Sequence, residues 1–294
     1  MDNIENIKKG MTGTGMFVNS NEAADIMKND IDEITAPEAI NFDQSAQQPA
    51  NLDIVIHKAA SRGYANHGWL ESHHTFSFAS YHDPERMHFG VLRVLNDDRV
   101  DAGMGFGTHP HDNMEIISIP LDGDLEHKDS MGNTTVIRNG DIQVMSAGTG
   151  ISHSEYNRNP DKLTKFLQIW IYPNKKNVTP RYGQITLDLA DRHNRLQQIL
   201  SPDPNDEGVW IHQDAWFHIG KFDNDFETNY NLKKSGNGIY AFVLKGSFSV
   251  ADVKLDERDG FGIWDTGSIL IKANSADAEI LLMEVPMTLE QQPN

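Results

Sequence analysis

The sequence predicts an all-β protein built from two barrel-like halves. Three observations carry this. Short apolar runs recur between turn-forming clusters, long helical periodicity is nearly absent, and the same rhythm returns in the second half of the chain.

In order, the first half offers DIVIHKA, HTFSFAS, FGVLRVL, MEIISIPL, TTVIRNGD, IQVMSAG and KFLQIWIY as strands. The separators NDDR, LDGD, SMGN and RNGD are rich in Gly, Asn and Asp, the residues that accept turn geometry. YPNKKNVTPRYG (Tyr172–Gly183) then breaks the pattern with two prolines and no apolar period, which places a domain boundary there. LADRHNRLQQIL, over residues 188–200, reads as mixed helix and loop. The β texture resumes in VWIHQDAWFHIGKF, GIYAFVLKGSFSV, GFGIWDTGSILIKA and AEILLMEVP. Residues 1–50 differ: nine acidic residues stand against three lysines, and the only aromatics are Phe17 and Phe42. Such a segment buries little and reads as a flexible extension, with a short helix near Asn21–Lys28.

Composition excludes several function classes. The 294 residues carry a net charge of −18 and no Lys/Arg cluster, which disfavours direct binding to nucleic acid or to an anionic membrane. Cysteine is absent, so disulfides, thiolate metal sites and cysteine nucleophiles are excluded together. No apolar run reaches the ~18 residues that span a bilayer, and the N-terminus lacks a signal-type apolar segment. The chain therefore reads as soluble and cytoplasmic.

Chemistry concentrates at two points. His109 and His111 flank Pro110 in GTHPH, and side chains at i and i+2 of a strand leave the same face. Pro110 suits a strand start or edge. His153 and Glu155, in AGTGISHSEY, form a second same-face pair, 42 residues after His111. Three imidazoles and a carboxylate suit a divalent first-row ion. On an octahedral ion, four protein ligands leave about two positions open for water, substrate or dioxygen.

The stretches SRGYANHGWLESHHTFSFASYHDPERMHFGVLRVLNDDRV, GFGTHPHDNMEIISIPLDGDLEHKDSMGN and GDIQVMSAGTGISHSE resemble the pirin family of the cupin superfamily, in particular its bacterial quercetinase-like members. The resemblance is dense over about residues 53–185, weaker to about 286, and leaves 1–50 uncovered. It implies a bicupin, two jelly-roll β-barrels packed face to face. The first (51–175) would hold the metal and the second (184–288) would not. It implies metal ligation by His109, His111, His153 and Glu155, with iron the first choice and Cu, Mn, Ni, Co or Zn also compatible. It further implies a dioxygenase that cleaves flavonols such as quercetin with release of carbon monoxide, with Glu155 as the general base. The family also contains metal-binding regulators that act through a protein partner. That is the alternative to catalysis, and a cupin enzyme acting on a small polar substrate is a third reading.

The remaining candidates read as structural. Glu115, four residues beyond His111, falls on the histidine face if the strand is continuous, and is expected to be structural or to support a ligand from behind. His67, His73, His74, His82 and His88 lack the i, i+2 spacing and read as surface or hydrogen-bonded core histidines. His127 and Asp129 read as part of a hairpin end, and His212 and His218 as surface or domain-contact residues. Phe76, Phe78, Phe89, Phe106 and Met145 read chiefly as barrel core, with Phe106 the best candidate to line a pocket over the metal. The GMGFG run has no following helix or Lys-Ser/Thr pair and is not a phosphate loop.

Overall fold

A computed structural model of the chain describes residues 53–289. The expected extension over 1–50, and the helix within it, lie outside the described residues. The described chain is two β-sandwiches of matching design. In the first, the seven-stranded sheet runs 181–186, 141–146, 115–122, 164–171, 92–100, 70–74, 63–66, and is faced by a four-stranded sheet of 105–111, 151–157, 125–129 and 134–137. In the second, seven strands run 53–57, 260–264, 237–245, 278–286, 216–222, 196–201, 209–210, and are faced by 227–231, 268–273, 248–250 and 253–255. Both are jelly-roll barrels of cupin type, so the all-β bicupin expectation holds.

The two seven-stranded sheets pack against each other. The strand Thr164–Ile171 shows why its sequence is apolar almost throughout. Leu167, Ile169 and Ile171 enter the core between the sandwiches, while Phe166 and Trp170 point into the first barrel. Strand Ala278–Pro286 does the same, with Leu281, Met283 and Val285 facing the first domain and Ile280 and Leu282 filling the second barrel. A strand covered on both faces loses the polar–apolar alternation of a half-exposed one. The barrel interiors differ. The second is packed with Phe222, Ile239, Phe248, Ile271 and Ile280, whereas the first also buries Ser118, Gln168, Asp98 and four histidines.

Several expectations change. Strand Arg181–Thr186 pairs with Asp141–Ser146, and strand Asp53–His57 pairs with Gly260–Trp264. One strand from the break region thus extends the first sheet, and the first described strand completes the second. HTFSFAS is not a strand. Strand Leu70–His74 ends on its first residue, and the rest of the segment sends Phe76 into the inter-sandwich core and Phe78 into the first barrel. Over 188–200 only a short 3-10 turn forms, Leu189–Arg192, where Asp188 accepts a hydrogen bond from the Ala190 N–H. Strand Leu196–Ser201 follows because pairing seats Ile199 and Leu200 in the core, and the buried Gln197 and Gln198 amides donate to backbone carbonyls of Asp188 and Glu207.

A β-bulge shapes the edge strand Gly105–His111. His153 pairs with His109 and Glu155 with Phe106, so Gly107 and Thr108 together oppose Ser154. The extra residue restores Phe106 to the inner face three positions before His109, and Thr108 turns outward. Beyond the bulge, a Cβ on Gly105 would lie 2.2 Å from the Glu155 carbonyl oxygen and 2.5 Å from the Tyr156 Cα. Both obstacles are backbone, which cannot swing aside. Gly105→Ala is expected to cost about 1–3 kcal/mol through overpacking, lowering the melting temperature by about 2 °C or more. A thermal scan matching wild type would show that the two strands can separate freely here.

Asp98 is buried in the first barrel and accepts a hydrogen bond from Ser72 Oγ at 2.5 Å. Burial lifts its pKa from an ordinary 3.8 to about 7, against the opposing pull of that hydrogen bond. A carboxyl raised in this way stabilises the fold below its unfolded pKa, and the contribution disappears as pH climbs to the folded value. Asp98→Asn should therefore gain stability relative to wild type between pH 4 and 7. Buried histidines such as His57 and His74, pushed down to about 4 by burial, act in the opposite sense but cancel in the difference. Paired melting curves at several pH values test this, and a difference independent of pH contradicts it.

Candidate metal centre

The site lies on the inner face of the first four-stranded sheet. Strand Ile151–Asn157 is central, with Gly105–His111 on one side and Leu125–Asp129 on the other. His153 pairs with both His109 and Asp129, and Glu155 with both Phe106 and His127. The i, i+2 pairs His109/His111, His153/Glu155 and His127/Asp129 therefore project side by side from one face. Pro110 causes no break because Gly105–His111 is an edge strand of this sheet.

Potential ligand atoms of His109, His111 and His153 lie within 4.8 Å of one another, and the rings are 1–4% exposed. A second overlapping group, His127, His153 and Glu155, meets the same distance. The expected quartet is thus brought onto one face, with His153 shared between the two groups and Glu155 beside His127. Burial lowers the pKa of His109 to about 4 and holds His111 and His153 well below the ordinary 6.5, so all three rings are neutral at pH 7. His109 Nδ1–H donates to the Gly107 carbonyl, 2.7 Å away, at the bulge. Its Nε2, and the Nε2 of His153, are buried with no hydrogen-bond partner. Buried polar atoms of this kind are costly, about 1–3 kcal/mol each, and a cation is the partner that bare, converging imidazole nitrogens fit. The donor set thus fits a divalent first-row metal.

The opposite sheet holds Glu155. Ser118 Oγ–H donates to its Oε1 at 2.9 Å and Gln168 Nε2–H to its Oε2 at 2.6 Å. Burial raises its pKa to about 7 despite these two bonds. Trp170 presents its ring edge-on to His111, with centroids 5.0 Å apart. His111 also borders a surface cleft of ≈360 Å³, lined with it by Pro110, Asp112, Thr149 and Ser152.

Other sequence candidates are placed differently. The chain turns at Asp112–Met114, so Glu115 begins a strand in the opposite sheet. Its Oε2 accepts from Ser146 Oγ–H at 2.8 Å, and burial raises its pKa to about 7. The continuous strand that would have aligned it with His111 does not exist, and its role is structural. Phe76 and Phe89 belong to the inter-sandwich core, whereas Phe78, Phe106 and Met145 lie in the core of the first barrel. His218 is not a surface residue: it is 5% exposed inside the second sandwich, against the Tyr230 ring. His127 is no mere hairpin end. Its ring is 0% exposed, with Nε2 3.2 Å from Asp129 Oδ2 and Nδ1 3.4 Å from His153 Nδ1. The i, i+2 rule that found the other pairs also fits His127 and Asp129. Ser118 and Gln168 carried no signal, since single polar residues in apolar strands have no spacing to read.

Comparison with known proteins agrees with this geometry. Residues 56–171 match the pirin family, and residues 198–285 match the quercetinase C-terminal cupin domain. A quercetin 2,3-dioxygenase of Escherichia coli (strain K12) is 45% identical over 233 residues, 79% of this chain and 99% of that protein. A pirin-like protein of Caulobacter vibrioides is 41% identical over 223 residues, 76% of this chain and 95% of its own. The crystal structure of the bacterial pirin YhhW from Escherichia coli in complex with nickel(II) aligns with a TM-score of 0.75 at 44% identity, over 80% of this chain and 99% of that one. With that identity held along almost the whole length of its relatives, the chain belongs to the pirin family.

Proposed function

We propose that the protein is a metal-dependent dioxygenase of quercetin 2,3-dioxygenase type, opening a flavonol ring with dioxygen and releasing carbon monoxide. The observation that carries this is the convergence of three neutral imidazoles, two with bare buried nitrogens, beside a buried carboxylate. The relative named quercetin 2,3-dioxygenase supports the reaction class.

In this reading His109, His111, His153 and Glu155 hold the ion. When bound, it supplies Lewis acidity that draws a flavonol hydroxyl toward ionisation. Glu155 accepts the released proton on its carboxylate, which in the metal-free protein burial holds above the ordinary carboxylate range. Ser118 and Gln168 keep that carboxylate from rotating as it changes charge. We take iron as the ion; the same nitrogen and oxygen donors accept nickel and the other first-row divalent ions.

Metal-replete protein is expected to bleach quercetin in air and not under nitrogen. No loss with any first-row divalent ion would contradict the activity. His111→Ala should lose bound metal and turnover together while keeping its melting transition, and unchanged metal by elemental analysis refutes the ligand assignment. Glu155→Gln should lower kcat by about 10²–10⁴-fold, the range for general acid–base catalysis, with a smaller loss of metal. Wild-type turnover in that variant removes the base.

A further inference from the structure

We propose that Asp129 and His127 form a positioning pair that fixes the ring tautomer of His153 and aims its Nε2 at the metal. The inference rests on the ligand assignment above. It concerns residues that turn chemistry had set aside as a hairpin end.

The argument starts at Asp129. Its side chain is fully buried and held from several directions. Oδ1 accepts from the Met131 and Asn133 backbone N–H groups at 2.9 and 3.0 Å, and Oδ2 accepts from Asn133 Nδ2 at 2.8 Å. The turn SMGN thus clamps the carboxylate in place. An ionised carboxylate only accepts hydrogen bonds. His127 Nε2, 3.2 Å from Oδ2, must therefore carry the proton of the neutral ring. That leaves a lone pair on His127 Nδ1. The atom facing it at 3.4 Å is His153 Nδ1, which must be the donor. A neutral His153 protonated on Nδ1 has its lone pair on Nε2. That atom is buried, has no hydrogen-bond partner, and belongs to a ring that groups with His109 and His111.

The same logic holds His109, where the Gly107 carbonyl takes the Nδ1 proton. For His153 no backbone carbonyl is bonded to Nδ1, and the neighbouring strand supplies a histidine instead. Tyr182 packs against the His127 ring at 4.9 Å and is itself held by Thr135 Oγ1 at 2.6 Å, so the pair is fixed from behind. His127 lies close enough to His153 and Glu155 to be taken for a ligand. Both its nitrogens are already engaged, which assigns it to orientation instead. Partners of this kind set ligand orientation and basicity, and their loss typically costs about 10–100-fold in metal affinity.

The test is Ni²⁺ affinity of the full chain, measured by competition with a chromophoric chelator. His127→Phe keeps the bulk and removes the acceptor; His127→Asn keeps an acceptor oxygen where Nδ1 stands. Asp129→Asn puts an amide opposite Nε2. The expected result is a loss of about 10–100-fold for His127→Phe and Asp129→Asn, and of less than about threefold for His127→Asn. Both His127 variants should keep a cooperative metal-free melting transition, so that the affinities compared are those of folded protein. Wild-type affinity in both His127→Phe and Asp129→Asn overturns the pair while leaving the ligand assignment standing. Equal, severe loss in His127→Asn and His127→Phe overturns it by making His127 itself a ligand. A wild-type protein that binds no Ni²⁺ overturns the ligand assignment and the pair together.

Discussion

Three imidazoles pressed together in a water-poor barrel are the constraint on which the rest of the site depends. Each is costly to bury, and each is kept neutral by that burial. A neutral ring offers one lone pair, and its direction depends on where the other nitrogen places its proton. The surrounding structure can be read as a set of answers to that requirement. A bulge carbonyl takes the proton of His109, a neighbouring ring faces Nδ1 of His153, and two side chains from the opposite sheet hold Glu155. The bare nitrogens that remain are the part of the arrangement that a cation completes.

The second sandwich repeats the architecture without the chemistry. Its interior is more apolar than the first, and its buried Glu284 serves structure. The Tyr230 hydroxyl donates to that carboxylate at 2.7 Å, and the Lys233 and Lys234 backbone N–H groups and the Asn237 amide also bond to it. Such a carboxylate pins a loop and has little freedom to serve a ligand. The contribution of this half to the site is indirect. It supplies the apolar face that buries the outer side of the first seven-stranded sheet, leaving that sheet's inner side free to carry Ser118, Gln168 and Trp170. The exchanged edge strand Asp53–His57 ties the halves together, and the buried His57 Nδ1 lies 2.7 Å from the Tyr240 hydroxyl at the junction.

Much of this was readable from residue order. Strand runs such as KFLQIWI and AEILLMEVP stand out because both of their faces are buried. The metal pairs stand out because a period of two is the only way a strand puts neighbours on one face. What the sequence hid was hidden for physical reasons. The bulge at Gly107–Thr108 is a matter of register between two strands, and no single strand records it. Glu115 looked aligned with His111 because the turn between them is marked only by Asp112 and Asn113, with no proline or glycine. LQQIL carries a pattern that suits helix or strand, and only the tertiary core decides it. His127 was passed over because its pair is completed by an aspartate in a turn-forming motif, and turn chemistry was the simpler explanation of that aspartate. Both explanations are true: Asp129 clamps the turn and faces the histidine.

The central claim is that a single ion sits among His109, His111, His153 and Glu155. Anomalous diffraction from crystals of protein purified without added metal or chelator, collected on both sides of the absorption edge of the ion found by elemental analysis, tests it most directly. The account predicts one strong peak inside the first barrel, within bonding distance of ring nitrogens from the strands Gly105–His111 and Ile151–Asn157. A peak elsewhere, or a fully occupied site in which His109 and His153 make no bond to the ion, would contradict it.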